Sequence, residues 1–318
     1  MKNVYFYRNY AGLTGGHLKV HHYFKHTSEA QGYTPWIYFT NGSLMDSENP
    51  WYPDQDHRLQ EWQPMDADLL FIGGMDWLSL PEKVRGNYPV PIINLIQGKR
   101  HANTDIALFT FLTHRAVRIC VSKEVQLAIE STGMVNGPVF TIENGLDINE
   151  IELVAMPAAG RKYDICIAGL KNPSIARALE NYFSNKNVNI ICLVKAIPRQ
   201  QFLEILGQSR IAVVLPLQQE GCFLPFWEAA AAGCIPICPI HDGATADFQH
   251  GVNGFFPNYS LEGISQAVQH CQQLDETLSH QISYEAKALT LNRSLDAERK
   301  QFYAILNDVN QLYGLYNT

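Results

Sequence analysis

Ten short runs of β-branched, aliphatic and aromatic residues recur along this chain, and stretches with helical spacing separate nearly all of them. The runs are 3–7, 35–39, 68–73, 91–96, 117–121, 139–142, 164–168, 189–194, 211–216 and 235–238. Most are apolar throughout rather than alternating, which suits strands buried on both faces of a parallel sheet. Helical patterns fall near 16–31, 103–115, 123–132, 174–184, 199–208, 224–232, 261–273, 277–290 and 295–313. A strand–helix alternation of this kind predicts α/β architecture with doubly wound sheets. At 318 residues the chain is long enough for two such domains, each with its own core. Ala155-Met-Pro-Ala-Ala-Gly-Arg161 interrupts the rhythm and reads as the linker, with a ligand cleft expected at the carboxyl ends of the strands.

Charge narrows the partners. The formal net charge is −7, which argues against nucleic acid or an anionic membrane as the main partner. The seven cysteines, at 120, 166, 192, 222, 234, 238 and 271, form no Cys-x-x-Cys, and five lie in or beside apolar runs. Buried reduced thiols in a cytoplasmic protein are the expectation. No apolar run is long enough to span a bilayer, and Met1 to Arg8 lacks a signal-peptide core, so no stable membrane anchor is expected. Histidines are dispersed without metal-ligand spacing. Asp54-Gln-Asp56 lies in a polar loop and Asp66-Ala-Asp68 opens a strand, both without further ligands nearby, so no metal is expected.

The segment with most chemistry is Glu220-Gly-Cys-Phe-Leu-Pro-Phe-Trp-Glu228, followed by Ala229 to Gly233 and Pro236. It follows the strand Ile211 to Pro216 and leads into an Ala-rich helix. A strand end, a Gly turn and a helix start offer free backbone N–H groups and a positive dipole end, which suits phosphate. The two glutamates, with seven residues between them, bracket that anion site and can accept hydrogen bonds from sugar hydroxyls. Glu228 lies in the first turn of an otherwise apolar helix, where a carboxylate is costly to bury without a partner. The segment therefore reads as a sugar-nucleotide site. A loop-capped core helix with two chance glutamates is the bland alternative.

Three other segments follow strands. Gly12, Gly15 and Gly16, in Asn9 to His17, form a glycine-rich turn that opens a helix. It lacks the Gly-x-Gly-x-x-Gly spacing of dinucleotide folds, and a purely structural turn fits it too. Gly73-Gly-Met-Asp76-Trp and Gln97-Gly-Lys-Arg-His101 make Asp76 and His101, with His17, acceptor-side candidates; each could equally cap a helix or face solvent. Lys171 and Arg177 together could neutralise a diphosphate, or be ordinary helix-surface cations.

Glu220 to Pro236 resembles the Glu, seven residues, Glu signature of family-4-type retaining glycosyltransferases of the GT-B fold. Cys120 to Glu124, Thr141-Ile-Glu-Asn-Gly-Leu-Asp147, Asp242 to Asp247 and His250 to Gly254 are similar to further elements of that family, in the same order. The resemblance implies two Rossmann-like domains facing a cleft: 1–155 on the acceptor side, 156–294 binding the donor, and a C-terminal helix in 295–318 returning to the first. It implies that Glu228 binds the ribose hydroxyls and that Glu220 holds donor-sugar hydroxyls near the reacting carbon. The diphosphate would meet the amides of Phe223 and Leu224 in the Gly221-Cys222-Phe223 turn, with Gly15 and Gly16 approaching from the other domain. Lys195 to Pro198, including Ile197, would touch the base through its backbone.

Departures from the pattern concern the sugar side. Phe223 replaces the usual Gly, Cys222 the usual Phe, and Gly169-Leu170 the usual Gly-Arg, with no obvious partner lysine. The expected activity is metal-independent transfer of a hexose-type sugar, with retention, from a nucleotide-diphosphate donor to a glycan, lipid or small-molecule acceptor. Glu220, Lys171 and Arg177 would serve catalysis. The alternatives are a catalytically silent sugar-nucleotide-binding protein and a GT-B-fold nucleotide-sugar epimerase. An NAD-linked dehydrogenase is weaker, lacking the Gly fingerprint and a suitable ribose acid.

Overall fold

The computed structural model describes residues 1–243 and 245–314. Ala244, in the Asp242 to Asp247 turn, and 315–318, at the end of the C-terminal segment, lie outside the described residues. The chain divides into two compact units, Met1–Asn144 with the chain from Asp296 onward, and Gly145–Leu295. The passage between them falls ahead of the Ala155 to Arg161 segment read as a linker.

The first unit holds β1 (Lys2–Arg8), β2 (Tyr33–Phe39), β3 (Leu69–Gly73), β4 (Ile92–Ile96), β5 (Val117–Cys120) and β6 (Val139–Thr141). They form one sheet in the order β2-β1-β3-β4-β5-β6, with every pair parallel. All five residues of β3 and all five of β4 are buried, which explains their unbroken apolar sequence. Its helices are α1 (Gly15–Glu29), the single turns α2 (Glu82–Arg85) and α3 (Ala107–Thr110), and α4 (Lys123–Glu130).

The second unit begins with α5 (Ile148–Val154), which the apolar periodicity had not suggested. Asp147 caps it, accepting from the Glu150 amide at 3.0 Å. The unit then runs β7 (Tyr163–Ala168), α6 (Pro173–Ser184), β8 (Ile190–Leu193), α7 (Arg199–Gly207), β9 (Ser209–Val214), α8 (Leu224–Ala231) and β10 (Ile235–Ile237). It closes with α9 (Leu261–Gln273) and α10 (Glu276–Ala288). The four strands are parallel in the order β10-β9-β7-β8. Its core joins Ile165, Ile167, Val213 and Ile237 of the strands to Leu179, Phe183, Ile264 and Val268 of the helices.

The last helix, α11 (Leu295–Gly314), packs in the first unit. Glu298, almost wholly buried, pairs there with Lys19 of α1 and accepts from His26 at 3.0 Å. The Tyr33 hydroxyl donates to the Leu306 carbonyl at 2.9 Å.

One expectation fails. The pattern near 103–115 is not one continuous helix but two short turns, Ala107–Thr110 and Phe111–Thr113. The fully buried Arg118 guanidinium takes the carbonyls of Phe111, Leu112 and His114, at 3.1, 2.8 and 2.5 Å. A continuous helix would have sent the Arg115 amide to the first of these. Here that amide goes to the Gly86 carbonyl at 2.9 Å, and the Phe111 carbonyl takes the His114 amide at 3.2 Å as well as Arg118.

Candidate functional site

In each sheet the strand order reverses beside the first strand of the unit, between β1 and β3 and between β7 and β9. Loops leaving the carboxyl ends at such a reversal point diverge to opposite faces and leave a crevice. In the second unit these are the loops after β7, with Lys171, and after β9, with Glu220. Ala168 and Val214 end their strands in register, and the Leu215 amide donates to the Ala168 carbonyl at 3.1 Å. Gly169 is fixed by packing: a Cβ there would overlap that of Ala176 on α6.

Glu220 Oε1 accepts from Lys171 Nζ and from the Leu217 amide, the latter at 3.2 Å. Lys171 also lies over the Phe223 ring, 5.1 Å from its centroid. Phe223 thus supplies a face for the cation where a glycine would leave space. Arg177 is exposed on α6 and pairs with Glu180 at 2.7 Å on the same helix face. It is held by Glu180 rather than by the pair at the reversal point, and that carboxylate raises its pKa.

No side chain caps α8; Phe223 occupies its N-cap with extended backbone and Pro225 follows in the first turn. Among the described residues the Phe223 and Leu224 amides have no acceptor within the protein. By contrast Ser122, Asp147, Ser260 and Asp275 cap α4, α5, α9 and α10 with their side chains. The starts of α6 and α7 likewise carry no side-chain cap; the open α8 start is where the sequence pointed to an anion-binding element. Gly233, at φ +74, ends the helix in the left-handed conformation that glycine adopts without strain.

Glu228 is 3% exposed. Its Oε1 accepts from Arg199 Nη1 at 2.5 Å, and Arg199 also pairs with Glu150 at 3.1 Å. Burial draws the Arg199 pKa down, but Glu228 and Glu150 outweigh it and leave it raised. Lys195 is exposed and Ile197 half-buried in the loop between β8 and α7, ahead of Arg199.

Sequence reasoning missed Arg199, Glu150 and Tyr259. Only the position of Arg199, at a helix start beside a segment already singled out, hinted at its part. The Tyr259 hydroxyl donates to the Pro216 carbonyl at 2.6 Å, and Asn172 Nδ2 lies 3.3 Å from it, so it ties the loops after β7 and β9 together. Buried His241 was missed too. Its Nδ1 lies 3.1 Å from the Pro239 carbonyl, and burial lowers its pKa.

The reversal point of the first unit carries its own ion pair. Arg8, the last residue of β1, pairs with Asp76, which also accepts from the Gly73 amide at 3.1 Å. Burial pushes the Asp76 carboxyl up to about 6 against these two donors. His17 lies nearby on α1, its pKa lowered to about 4 by burial and by the Arg8 charge. Gly15 and Gly16 open α1, whose N-cap is Thr14, and Gln97 Nε2 reaches the Gly16 carbonyl at 3.4 Å. His101 is buried instead beside the Arg100 and Arg118 charges, which with burial lower its pKa to about 3.

Both Asp-x-Asp strings have structural partners: Asp54 binds Lys25 at 3.1 Å, and Asp68 takes the Asn3 amide at 2.7 Å. Among the described residues no group of three or more His, Cys, Asp or Glu is placed to hold a metal ion. Nor is any helix among them long and apolar enough to cross a membrane.

The chain matches no protein-family model and no curated protein. Solved structures do resemble it. A glycosyltransferase from Rickettsia africae aligns at 13% identity and TM-score 0.70, covering 98% of this chain and 99% of that one. HepE from Anabaena, in complex with UDP and glucose, aligns at 12% and 0.73, covering 97% and 100%. Sucrose-phosphate synthase from Thermosynechococcus elongatus aligns at 10% and 0.70, covering 98% and 100%. Likeness at these identities shows a shared fold, the two-sheet α/β architecture of GT-B proteins.

Proposed function

We propose that this protein is a cytoplasmic glycosyltransferase. It moves a hexose-type sugar from a nucleotide-diphosphate donor to an acceptor hydroxyl, with retention and without a metal. The observation that carries this reading is the placement of Glu220 and Glu228 on either side of the uncapped α8 start, with Lys171 at the same end of the sheet. In this reading the diphosphate sits on the Phe223 and Leu224 amides, Glu228 takes the ribose hydroxyls and Glu220 the sugar hydroxyls. Gly221 and Cys222 shape the turn, and the Lys195 to Ile197 backbone meets the base.

Charge builds on the diphosphate as the bond from the sugar carbon to phosphate oxygen breaks. Preorganised amides and Lys171 offset that charge, which is where such a site gains most of its rate. The acceptor oxygen bonds to the same face of that carbon, and its proton passes to the departing phosphate. His17, Asp76 and His101 are the acceptor-side groups of the proposal. HepE in complex with UDP-glucose makes UDP-glucose the first donor to test. A second reading, donor binding without turnover, is favoured by one observation: Lys171 and Arg177 are both already engaged by carboxylates.

Thermal shift with UDP-, GDP-, ADP-, dTDP- and CMP-sugars, followed by product analysis with acceptor extracts, tests both. Stabilisation by one donor together with transfer supports the transferase. Stabilisation without transfer or hydrolysis favours the silent binder, and no response to any nucleotide sinks both.

A further inference from the structure

The Glu228 carboxylate is the most buried acid of the second unit among the described residues, and one guanidinium holds it. Arg199 is the first residue of α7, Glu228 lies on α8 and Glu150 on α5, so the three helices converge on the cation. Arg199 uses two separate edges. Nη1 donates to Glu228 Oε1 at 2.5 Å, while Nε and Nη2 reach Glu150 Oε2 at 3.2 and 3.1 Å. The three side chains are 4%, 18% and 39% exposed, in the order Glu228, Arg199, Glu150, so the ionic chain runs from interior to surface. Glu228 Oε2 has no hydrogen-bond partner in the protein among the described residues. A carboxylate with one oxygen pinned and the other free presents two lone pairs in a fixed direction.

We propose that Arg199 is a positioning residue for ribose recognition. It holds Glu228 in one rotamer, so that Oε2 accepts from the adjacent hydroxyls of a nucleotide's ribose, and Glu150 in turn holds Arg199. This rests on the reading of Glu228 as the ribose acceptor. A lysine cannot replace it, because one ammonium on a flexible stem cannot span two carboxylates at fixed angles as a planar fork does. Arg199 also follows the Lys195 to Pro198 segment directly, which joins base contact and ribose contact in one stretch of chain.

The test compares binding of a ribonucleoside diphosphate (UDP first, or whichever the donor panel selects) with its 2′-deoxy counterpart by titration calorimetry. Wild type is expected to prefer ribose by about tenfold or more, the range of a hydrogen bond to a charged group. Arg199→Lys should bring that preference within about twofold while its melting temperature stays near wild type. Should Arg199→Lys fail to fold, the pair Arg199→Met with Glu228→Gln decides. It removes both buried charges at similar volume and should bind the two nucleotides equally. A folded Arg199→Lys, or a folded double variant, that keeps the wild-type preference overturns the proposal. Wild type binding both nucleotides equally overturns it as well. Wild type binding neither defeats the donor reading itself, which is a distinct result.

Discussion

Lys171 and Glu220, 49 residues apart in sequence, form an ion pair across the strand-order reversal of the second sheet. The Lys171 side chain is 40% exposed and also lies over the Phe223 ring, so the cation can leave the carboxylate for a diphosphate without crossing the core. Lys171→Met should therefore cut turnover by roughly 10²–10³-fold, the usual cost of one preorganised electrostatic group. Nucleoside binding should barely change. Steady-state kinetics beside calorimetry with the bare nucleoside checks this, and unchanged kcat would remove Lys171 from the chemistry.

Glu220→Gln keeps the side-chain shape but loses the charge that Lys171 and the Leu217 amide read. Affinity for the nucleoside diphosphate should stay within about twofold, while discrimination among donor sugars and turnover fall by about tenfold or more. Competition between sugar nucleotides that share one base measures it. Preserved sugar preference would place the sugar elsewhere.

Glu228→Ala should weaken nucleotide and sugar nucleotide alike, by about 10- to 100-fold for a lost charge-assisted hydrogen bond. Arg199 keeps Glu150 as its partner, so the melting temperature should fall only modestly. Wild-type affinity for every nucleotide in this variant would refute the ribose assignment.

Gly169→Ala tests the packing beneath the site. The new methyl would collide with the Ala176 Cβ, forcing α6 away from the end of β7, and overpacking of this kind costs about 1–3 kcal/mol. Urea unfolding should show that loss, and Ala176→Gly in the same chain should recover part of it.

Acid stability should depend on His101. Its folded pKa of about 3 lies well below the roughly 6.5 of the unfolded chain, so the unfolded state binds more protons between these limits. Stability is therefore lost as pH falls from about 6.5 toward 3, by on the order of 2–3 kcal/mol between pH 7 and 4.5. His17 works in the same direction, whereas Asp76, raised to about 6, gains stability on acidification and opposes it. Unfolding free energies of wild type and His101→Gln across that range isolate the term. Parallel pH profiles would contradict it.

All ten strands were legible in the sequence as short runs rich in β-branched, aliphatic and aromatic residues. In β3, β4 and β5 every residue is buried, whereas β1 and β2 bury alternate residues. Most helices were legible as well, from their helical spacing, and the structure adds the caps Ser122, Ser260 and Asp275 to three of them. The 103–115 stretch was misread for a reason no local pattern contains: Arg118, on a later strand, claims its carbonyls. Among the short helices, α5 was missed because seven residues carry too little periodicity to register.

Local chemistry by itself determined the strand–helix rhythm, the bare start of α8 and the two glutamates around it, because strand, turn and helix preferences act between neighbours in the chain. The partners of those glutamates were decided only by the tertiary structure. Parallel strand order brings the loop after β7 to Glu220, and the meeting of α5, α7 and α8 gives Glu228 its cation. Ion pairs between residues tens of positions apart leave no spacing in the sequence. Lys171 was therefore only one of two candidate cations, and Arg199 was not a candidate at all.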